Sequence, residues 1–138
     1  MSELNETELL QLAARASGAG RLENPDGSAK VRNPFCGDQL TLDVRLDGDR
    51  VAEVGYDIRA CLVCQASTTI LAEEHVGRSI DEIEAARQAV SAFLAGDGEA
   101  PQHYAIFEKL RPHKNRHVCV DMPFQAVGEA VEKARGSG

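Results

Sequence analysis

Three cysteines and one aspartate are the residues of this sequence best suited to chemistry. Cys36 and Asp38 lie on either side of a glycine, and Cys61 and Cys119 follow further along the chain. Thiolates and a carboxylate together suit Zn²⁺ or iron, which commonly take four ligands in a tetrahedral arrangement. A carboxylate binds a soft iron–sulfur unit less firmly than a thiolate does, so Asp38 suits a site that must release what it holds. These four residues are the predicted metal ligands.

A predicted β-hairpin brings the first three of these ligands together. Apolar and polar residues alternate over residues 40–46 and again over residues 52–60, and Asp47-Gly48 supplies a turn between the two runs. The two outer ends of a hairpin lie side by side. Cys36-Gly37-Asp38, just before the first strand, is therefore expected beside Cys61, just after the second.

Helix beginnings are the second device that positions the thiols. Apolar residues at helical spacing follow Cys61. Asp121 is an acceptable N-cap with Pro123 in the first turn, which predicts that the last helix begins near Asp121, directly after Cys119. Exposed N–H groups and the helix dipole lower the pKa of a thiol at a helix N-terminus. We expect Cys61 and Cys119 to be ready nucleophiles and ready ligands.

Three further residues near the predicted ligands have open roles. Cys64 lies one helical turn after Cys61, where it either faces the site, completes a Cys-x-x-Cys redox or zinc pair, or is an ordinary buried residue, the interpretation we favour. His117 is a weak ligand candidate against the alternative of a surface histidine. Arg116 either pairs with a thiolate or with Asp38, tuning ligand exchange, or is a solvated surface arginine.

The remaining elements predict an α+β fold, a small antiparallel sheet covered on one side by helices. Residues 3–17 have the spacing of a docking helix, residues 18–32 are expected to form a loop, and Ser79-Ile80-Asp81-Glu82 fits a capping box that starts another helix. We expect one domain over residues 1–138. It consists of an N-terminal helix in residues 1–20, the β-hairpin in residues 39–60 and a mainly helical part in residues 61–135.

Composition limits the classes of function. The 138 residues carry a formal net charge of −7, which argues against nucleic-acid binding because phosphate contacts need clustered Lys and Arg. The N-terminus does not resemble a secretory signal, and no apolar run is long enough to cross a membrane, so we expect a cytoplasmic protein. Cytosolic cysteines are kept reduced, which favours metal or thiol chemistry over disulfides.

The sequence block around the first cysteine resembles a known family. Asn33-Pro34-Phe35-Cys36-Gly37-Asp38, followed by a hairpin, Cys61 and Cys119, is similar to the iron–sulfur scaffold family of IscU, SufU and the N-terminal domain of NifU. The resemblance covers nearly the whole chain and includes Gly77-Arg78-Ser79-Ile80-Asp81-Glu82. Val118 replaces the histidine that precedes the last cysteine in IscU, so the chain looks nearer to SufU. Leu110-Arg111-Pro112-His113-Lys114 departs from the chaperone-recognition motif of IscU.

This resemblance implies a scaffold that binds zinc or an iron–sulfur cluster, of the [2Fe–2S] type, through Cys36, Asp38, Cys61 and Cys119. It implies that a cysteine desulfurase supplies sulfur as a persulfide, on Cys36 by similarity to SufU or on Cys119 by similarity to IscU. It also implies an iron donor and apo iron–sulfur proteins as partners. Arg116 matches a basic position of the family. A zinc-dependent persulfide sulfurtransferase and a structural zinc-binding module are the alternative functions.

Overall fold

The computed structural model describes residues 6–34 and 37–136, and its centre is an antiparallel sheet of three strands in the order β1-β2-β3. The predicted α+β class, a small antiparallel sheet with several helices, is confirmed. The elements in chain order are α1 (Glu6–Arg15), β1 (Gly27–Arg32), β2 (Gln39–Asp47), β3 (Arg50–Arg59), α2 (Leu62–Glu74), α3 (Ile80–Leu94), a 3₁₀ helix (Ala105–Leu110) and α4 (Lys114–Ala134).

The predicted hairpin consists of β2 and β3. Leu42 pairs with Tyr56 and Val44 pairs with Val54, and these four side chains are buried. Gly48 has a positive φ of 61° in the turn, a conformation that glycine adopts without a steric cost. The hairpin ends therefore meet at Gln39 and Arg59, as the alternating pattern predicts.

Strand β1 corrects the predicted loop over residues 18–32. It pairs antiparallel with β2 in a continuous register from Gly27 to Arg32. Only Ala29 and Val31 alternate with polar residues in this stretch, which is too short a pattern to distinguish from a loop. Both are buried, and β1 packs against α4. Tertiary packing thus makes this polar segment a strand.

Helix α4 corrects the predicted boundary of the last helix. It begins at Lys114 rather than near Asp121, so Pro123 lies inside it. Proline lacks the N–H that would bond to the carbonyl four residues earlier and disfavours a helix interior. Here the helix continues because its long buried face packs against β1, β2 and α2. The Ser67 hydroxyl of α2 also donates to the carbonyl oxygen of Val120 at 2.6 Å, which connects this part of α4 to α2. Cys119 is consequently in the second turn of α4 and not at its N-terminus.

Helices α1 and α3 pack on α2 and α4, respectively. Helix α1 packs on α2, with Leu9 fully buried and Arg15 paired with Glu73 at 2.8 Å. The predicted capping box forms at the start of α3, where Ser79 accepts from the N–H of Glu82 and the Glu82 side chain accepts from the N–H of Ser79. Residues 3–5 of the predicted first helix lie outside the described residues. Among the described residues, no helix combines the length and apolar character needed to span a bilayer.

A buried carboxylate ties the segment before β1 to the sheet. Asp43 in β2 is fully buried and accepts hydrogen bonds from Arg21, the Ser28 hydroxyl and the N–H of Leu22. Burial raises the pKa of Asp43, but these hydrogen bonds and the Arg21 charge outweigh burial and hold the pKa below its ordinary value. The carboxylate is therefore a charged structural contact that fixes residues 21–28 beside β2.

Candidate metal centre

Three of the four predicted ligands meet where the sheet, α2 and α4 come together. Asp38 precedes β2, Cys61 precedes α2 and Cys119 lies in α4, and one ligand atom from each lies within 4.8 Å of the others. Asp38 is 6% exposed and Cys119 is 2% exposed, while Cys61 is half-buried. Cys36 lies outside the described residues, so its place as a fourth ligand stays a prediction.

Asp38 links the other two ligands. Its Oδ1 accepts a hydrogen bond from the backbone N–H of Cys61 at 3.1 Å, and its Oδ2 lies 3.8 Å from Cys119 Sγ. Gly37, immediately before it, has a φ of +75°, which L side chains rarely adopt. This positive φ explains why a glycine lies between the two predicted ligands, since glycine lets the chain turn sharply into β2.

Cys61 is at the N-cap of α2, as its position after the hairpin predicts. Its pKa is lowered to about 6, first because the Cys119 thiol hydrogen-bonds to it and then because the backbone N–H of Cys64 also favours the charged form. Burial and the Asp38 carboxylate act in the opposite direction. Cys61 therefore has the lowered pKa expected of a thiol at a helix N-terminus. The same expectation for Cys119 is wrong, because Cys119 lies inside α4.

Asn33 is a neighbour of this site that the sequence did not identify. Its side-chain amide nitrogen donates to Cys119 Sγ at 3.6 Å, and the residue is 1% exposed. Its backbone N–H donates to the carbonyl of Asp38 at 2.9 Å, and its own carbonyl accepts from the N–H of Gly37 at 3.1 Å. Asn33 therefore contacts the segment that bears Asp38 as well as the sulfur on α4.

The three residues with open roles have different surroundings. Cys64 is fully buried, with its sulfur 3.9 Å from the sulfur of Met122, which fits the interpretation as a core residue. His117 directs Nε2 to the carbonyl oxygen of Leu110 at 2.9 Å and borders a cleft between α3 and α4, so it faces away from the three ligands. Arg116 is half-buried in the first turn of α4, and its role in tuning the site stays a prediction.

The donor set fits a thiophilic metal. Two sulfurs and a carboxylate oxygen are the ligands that zinc and iron–sulfur units accept, and hard cations such as Mg²⁺ and Ca²⁺ prefer oxygen ligands alone. The lowered pKa of Cys61 favours the thiolate form that metal binding requires. Burial of Asp38 and Cys119 limits access of water to the ligands. The arrangement suits a metal or cluster held by these three ligands together with a fourth.

Comparison with known proteins gives a consistent result. The family model described as "NifU-like N terminal domain" matches residues 6–136. The iron–sulfur cluster assembly scaffold protein IscU of Streptococcus pyogenes is 22% identical, and the alignment covers 97% of this chain and 88% of that protein. IscU 1 of Archaeoglobus fulgidus is 28% identical over 61% of this chain, and the match spans only 56% of that relative's length. The zinc-dependent sulfurtransferase SufU of Bacillus subtilis is 25% identical, covering 77% of this chain and 75% of its own.

Solved structures agree with this match. The N-terminal part of a nitrogen-fixing NifU-like protein from Brucella abortus superimposes with a TM-score of 0.89 at 27% identity, covering 99% of this chain and 97% of that one. A SufU scaffold candidate from Fervidobacterium islandicum superimposes with a TM-score of 0.79 at 22% identity, covering 89% and 93%. The second likeness is one of fold.

Proposed function

Because this chain belongs to the family of NifU-like N-terminal domains, we propose that it is an iron–sulfur cluster assembly scaffold, whose cargo is assembled on the corner described above. One observation carries the proposal. The ligand atoms of Asp38, Cys61 and Cys119 come from three separate elements and lie within 4.8 Å of one another. Structural packing alone gives no reason for two thiols and a carboxylate to converge in this way.

In this proposal Cys36, Asp38, Cys61 and Cys119 hold iron and sulfide while a [2Fe–2S] cluster forms. The partners are a cysteine desulfurase, an iron donor and the apo-proteins that receive the cluster. Asp38 is the labile ligand, since a carboxylate binds an iron–sulfur unit less firmly than a thiolate does. Replacement of this one ligand by a ligand of an acceptor protein is the expected first step of release.

Sulfur delivery is a transfer between thiols. An acceptor thiolate of the scaffold attacks the outer sulfur of the persulfide on the desulfurase, a new S–S bond forms, and the desulfurase cysteine leaves as a thiolate. Cys36 and Cys119 are the two candidates for the acceptor. The 2% exposure of Cys119 supports Cys36, because a donor persulfide must reach the attacking sulfur.

A zinc-dependent persulfide sulfurtransferase is the second candidate. Its support is the likeness to the Bacillus subtilis protein of that name, together with a donor set that zinc also accepts. In this case zinc supplies a thiophilic centre that keeps the thiolates together, and one displaced cysteine carries the persulfide. A closed structural zinc site is disfavoured, because such sites use four firm thiolate or imidazole ligands and Asp38 is neither.

The test is a measurement of metal and acid-labile sulfide in protein purified without oxygen, before and after incubation with a cysteine desulfurase, cysteine and ferrous iron. The scaffold proposal expects iron and sulfide to appear in equal amounts and to be lost in Cys61→Ser. Cys64→Ala is the matched control, since this cysteine lies on the same helix but has its thiol in the core. Tightly held zinc with transferable persulfide and no cluster would favour the sulfurtransferase, and protein that holds neither metal nor persulfide would refute both.

A further inference from the structure

We infer that Asn33 is a positioning residue of this metal centre, because its buried side-chain amide donates a hydrogen bond to the sulfur of Cys119. The inference rests on the proposed function, since it concerns how one of the proposed ligands is held. It assigns a role to a residue that is not a ligand itself and has a neutral side chain.

The first argument is burial. Asn33 is 1% exposed, and burying a polar amide without hydrogen bonds destabilises a folded protein. An apolar residue would fill a position on the sheet edge without this penalty. The amide nitrogen lies 3.6 Å from Cys119 Sγ, an ordinary distance for a hydrogen bond to sulfur. The polar side chain thus has a partner at the site that accounts for its presence in the interior.

The second argument is the direction of the hydrogen bond, from the Asn33 amide to the sulfur. A thiolate or a metal-bound sulfur has no proton to donate, so it accepts hydrogen bonds only. The amide nitrogen of Asn33 is a donor with the correct sense for the ligand form of Cys119. Hydrogen bonds to ligand sulfurs tune the electron density and reduction potential of metal–sulfur centres, and groups that orient a ligand strengthen metal binding.

The third argument is the connection to a second ligand. The backbone N–H of Asn33 donates to the Asp38 carbonyl at 2.9 Å, and the Gly37 N–H donates to the Asn33 carbonyl at 3.1 Å. These two bonds fix the two described ends of the turn that leads into β2. Asn33 therefore connects the Asp38 segment to Cys119 on α4. The backbone bonds persist in any side-chain variant, so substitutions test the amide alone.

Two substitutions remove the donor in different ways. Asn33→Asp keeps the shape but replaces the nitrogen by an acceptor oxygen and adds negative charge beside Cys119. Asn33→Leu removes all polarity with the same number of side-chain heavy atoms. Thr68→Val is the matched control, because Thr68 is also fully buried and loses one hydrogen bond, from its hydroxyl to the Cys64 carbonyl at 2.8 Å, without touching a ligand sulfur.

The experiment measures zinc affinity by competition with a chromophoric chelator, and the thiolate-to-metal absorption band of the protein loaded with Co²⁺. We expect both Asn33 variants to bind zinc about 10- to 100-fold more weakly than the wild type, as is typical when a group that orients a ligand is lost. The absorption band should shift in both variants, while Thr68→Val keeps the affinity and the band of the wild type.

Three results would overturn the inference. Wild-type affinity and absorption in both Asn33 variants would exclude a role of the amide at the metal. An equal loss in Thr68→Val would reduce the effect to general destabilisation. If Asn33→Leu fails to fold by circular dichroism, the isosteric Asn33→Asp decides the question. A wild-type protein that binds neither zinc nor a cluster refutes the proposed function and the inference with it, whereas metal binding unaffected by both variants refutes only the inference.

Discussion

The stability of this protein should fall in mild acid because of His75, the C-cap of α2. This imidazole is 7% exposed, and its Nε2 lies 3.2 Å from the Tyr104 hydroxyl. Its Nδ1 is buried and has no hydrogen-bond partner among the described residues. Burial, the largest cause, together with the positive charges of Arg78 and His103 lowers the pKa of His75 to about 4. The folded protein therefore resists protonation at a site that the unfolded chain protonates readily.

The sign and size follow from proton linkage. Above the ordinary histidine pKa of 6.5 both states are neutral, and His75 adds no dependence on pH. Between pH 6.5 and about pH 4, His75 is protonated in the unfolded chain but stays neutral in the folded protein, so the free energy of unfolding decreases as the pH falls. The decrease is about 2 kcal/mol at about pH 5 and approaches a limit of about 3 kcal/mol below about pH 4.

The assay is urea unfolding at about pH 7.5 and about pH 5 for the wild type and His75→Gln, because glutamine keeps a polar partner for Tyr104 without titrating. We expect the wild type to lose about 2 kcal/mol more than the variant between the two pH values. Equal losses in the wild type and His75→Gln, or an NMR titration midpoint of His75 near 6.5, would refute the reasoning.

Three other predictions concern the candidate site and the sheet. In the metal-free protein, the rate of alkylation of Cys61 should have its pH midpoint near 6. Cys119→Ala should move this midpoint upward, because it removes the hydrogen bond that lowers the pKa of Cys61 most, and an unchanged midpoint would contradict this. Asp38→Ala should make a bound cluster longer-lived in a transfer assay, because the labile ligand is lost, and faster cluster loss would argue against that role. Asp43→Ala should lower the free energy of unfolding in urea by roughly 1–3 kcal/mol, since it leaves the Leu22 N–H and the Ser28 hydroxyl without their partner, while the half-exposed Arg21 is solvated by water. A change below about 0.5 kcal/mol would disprove a structural role.

The hairpin and the position of Cys61 were predictable because both depend on local patterns. Strict alternation in β2 and β3, a turn containing glycine and a helix-compatible run after Cys61 all indicate the same local structure. A hairpin converts that local pattern into spatial proximity of Asp38 and Cys61. The sequence therefore contained most of the information for two of the three ligands that the structure brings together.

Strand β1 was not predictable, and its omission also hid Asn33. Gly27, Ala29 and Val31 face the interior, and Asn33, two residues further on, continues the same buried alternation. A sequence assigned as loop gives no reason to expect a buried asparagine. Had the strand been recognised through its pairing with β2, the polar residue in phase with its buried face would have stood out. The error in the fold and the missed neighbour of the site therefore have one cause.

The predicted start of α4 was wrong for a different reason. A proline two residues after a candidate cap is a sound local signal for a helix beginning, but here the packing of α4 on the sheet and its contacts with α2, which include the Ser67 hydroxyl on the Val120 carbonyl, outweigh it. Neither contact can be read from residues 114–123 alone. The consequence is chemical as well as structural, because Cys119 is buried inside α4 instead of exposed at a helix N-terminus.

Under the proposed scaffold function, the two oxygens of Asp38 explain how a labile ligand is compatible with a preformed site. Oδ1 accepts from the Cys61 N–H and Oδ2 lies near Cys119, so the carboxylate is held in place by both neighbours. One oxygen is enough to bind a metal, which leaves the other free to keep its contact with the N-cap of α2. When an acceptor displaces the carboxylate, Asp38 returns to a hydrogen-bonded position at little cost, because its charge keeps a donor throughout. In this proposal, the same contacts that preorganise the site therefore lower the penalty for releasing its cargo.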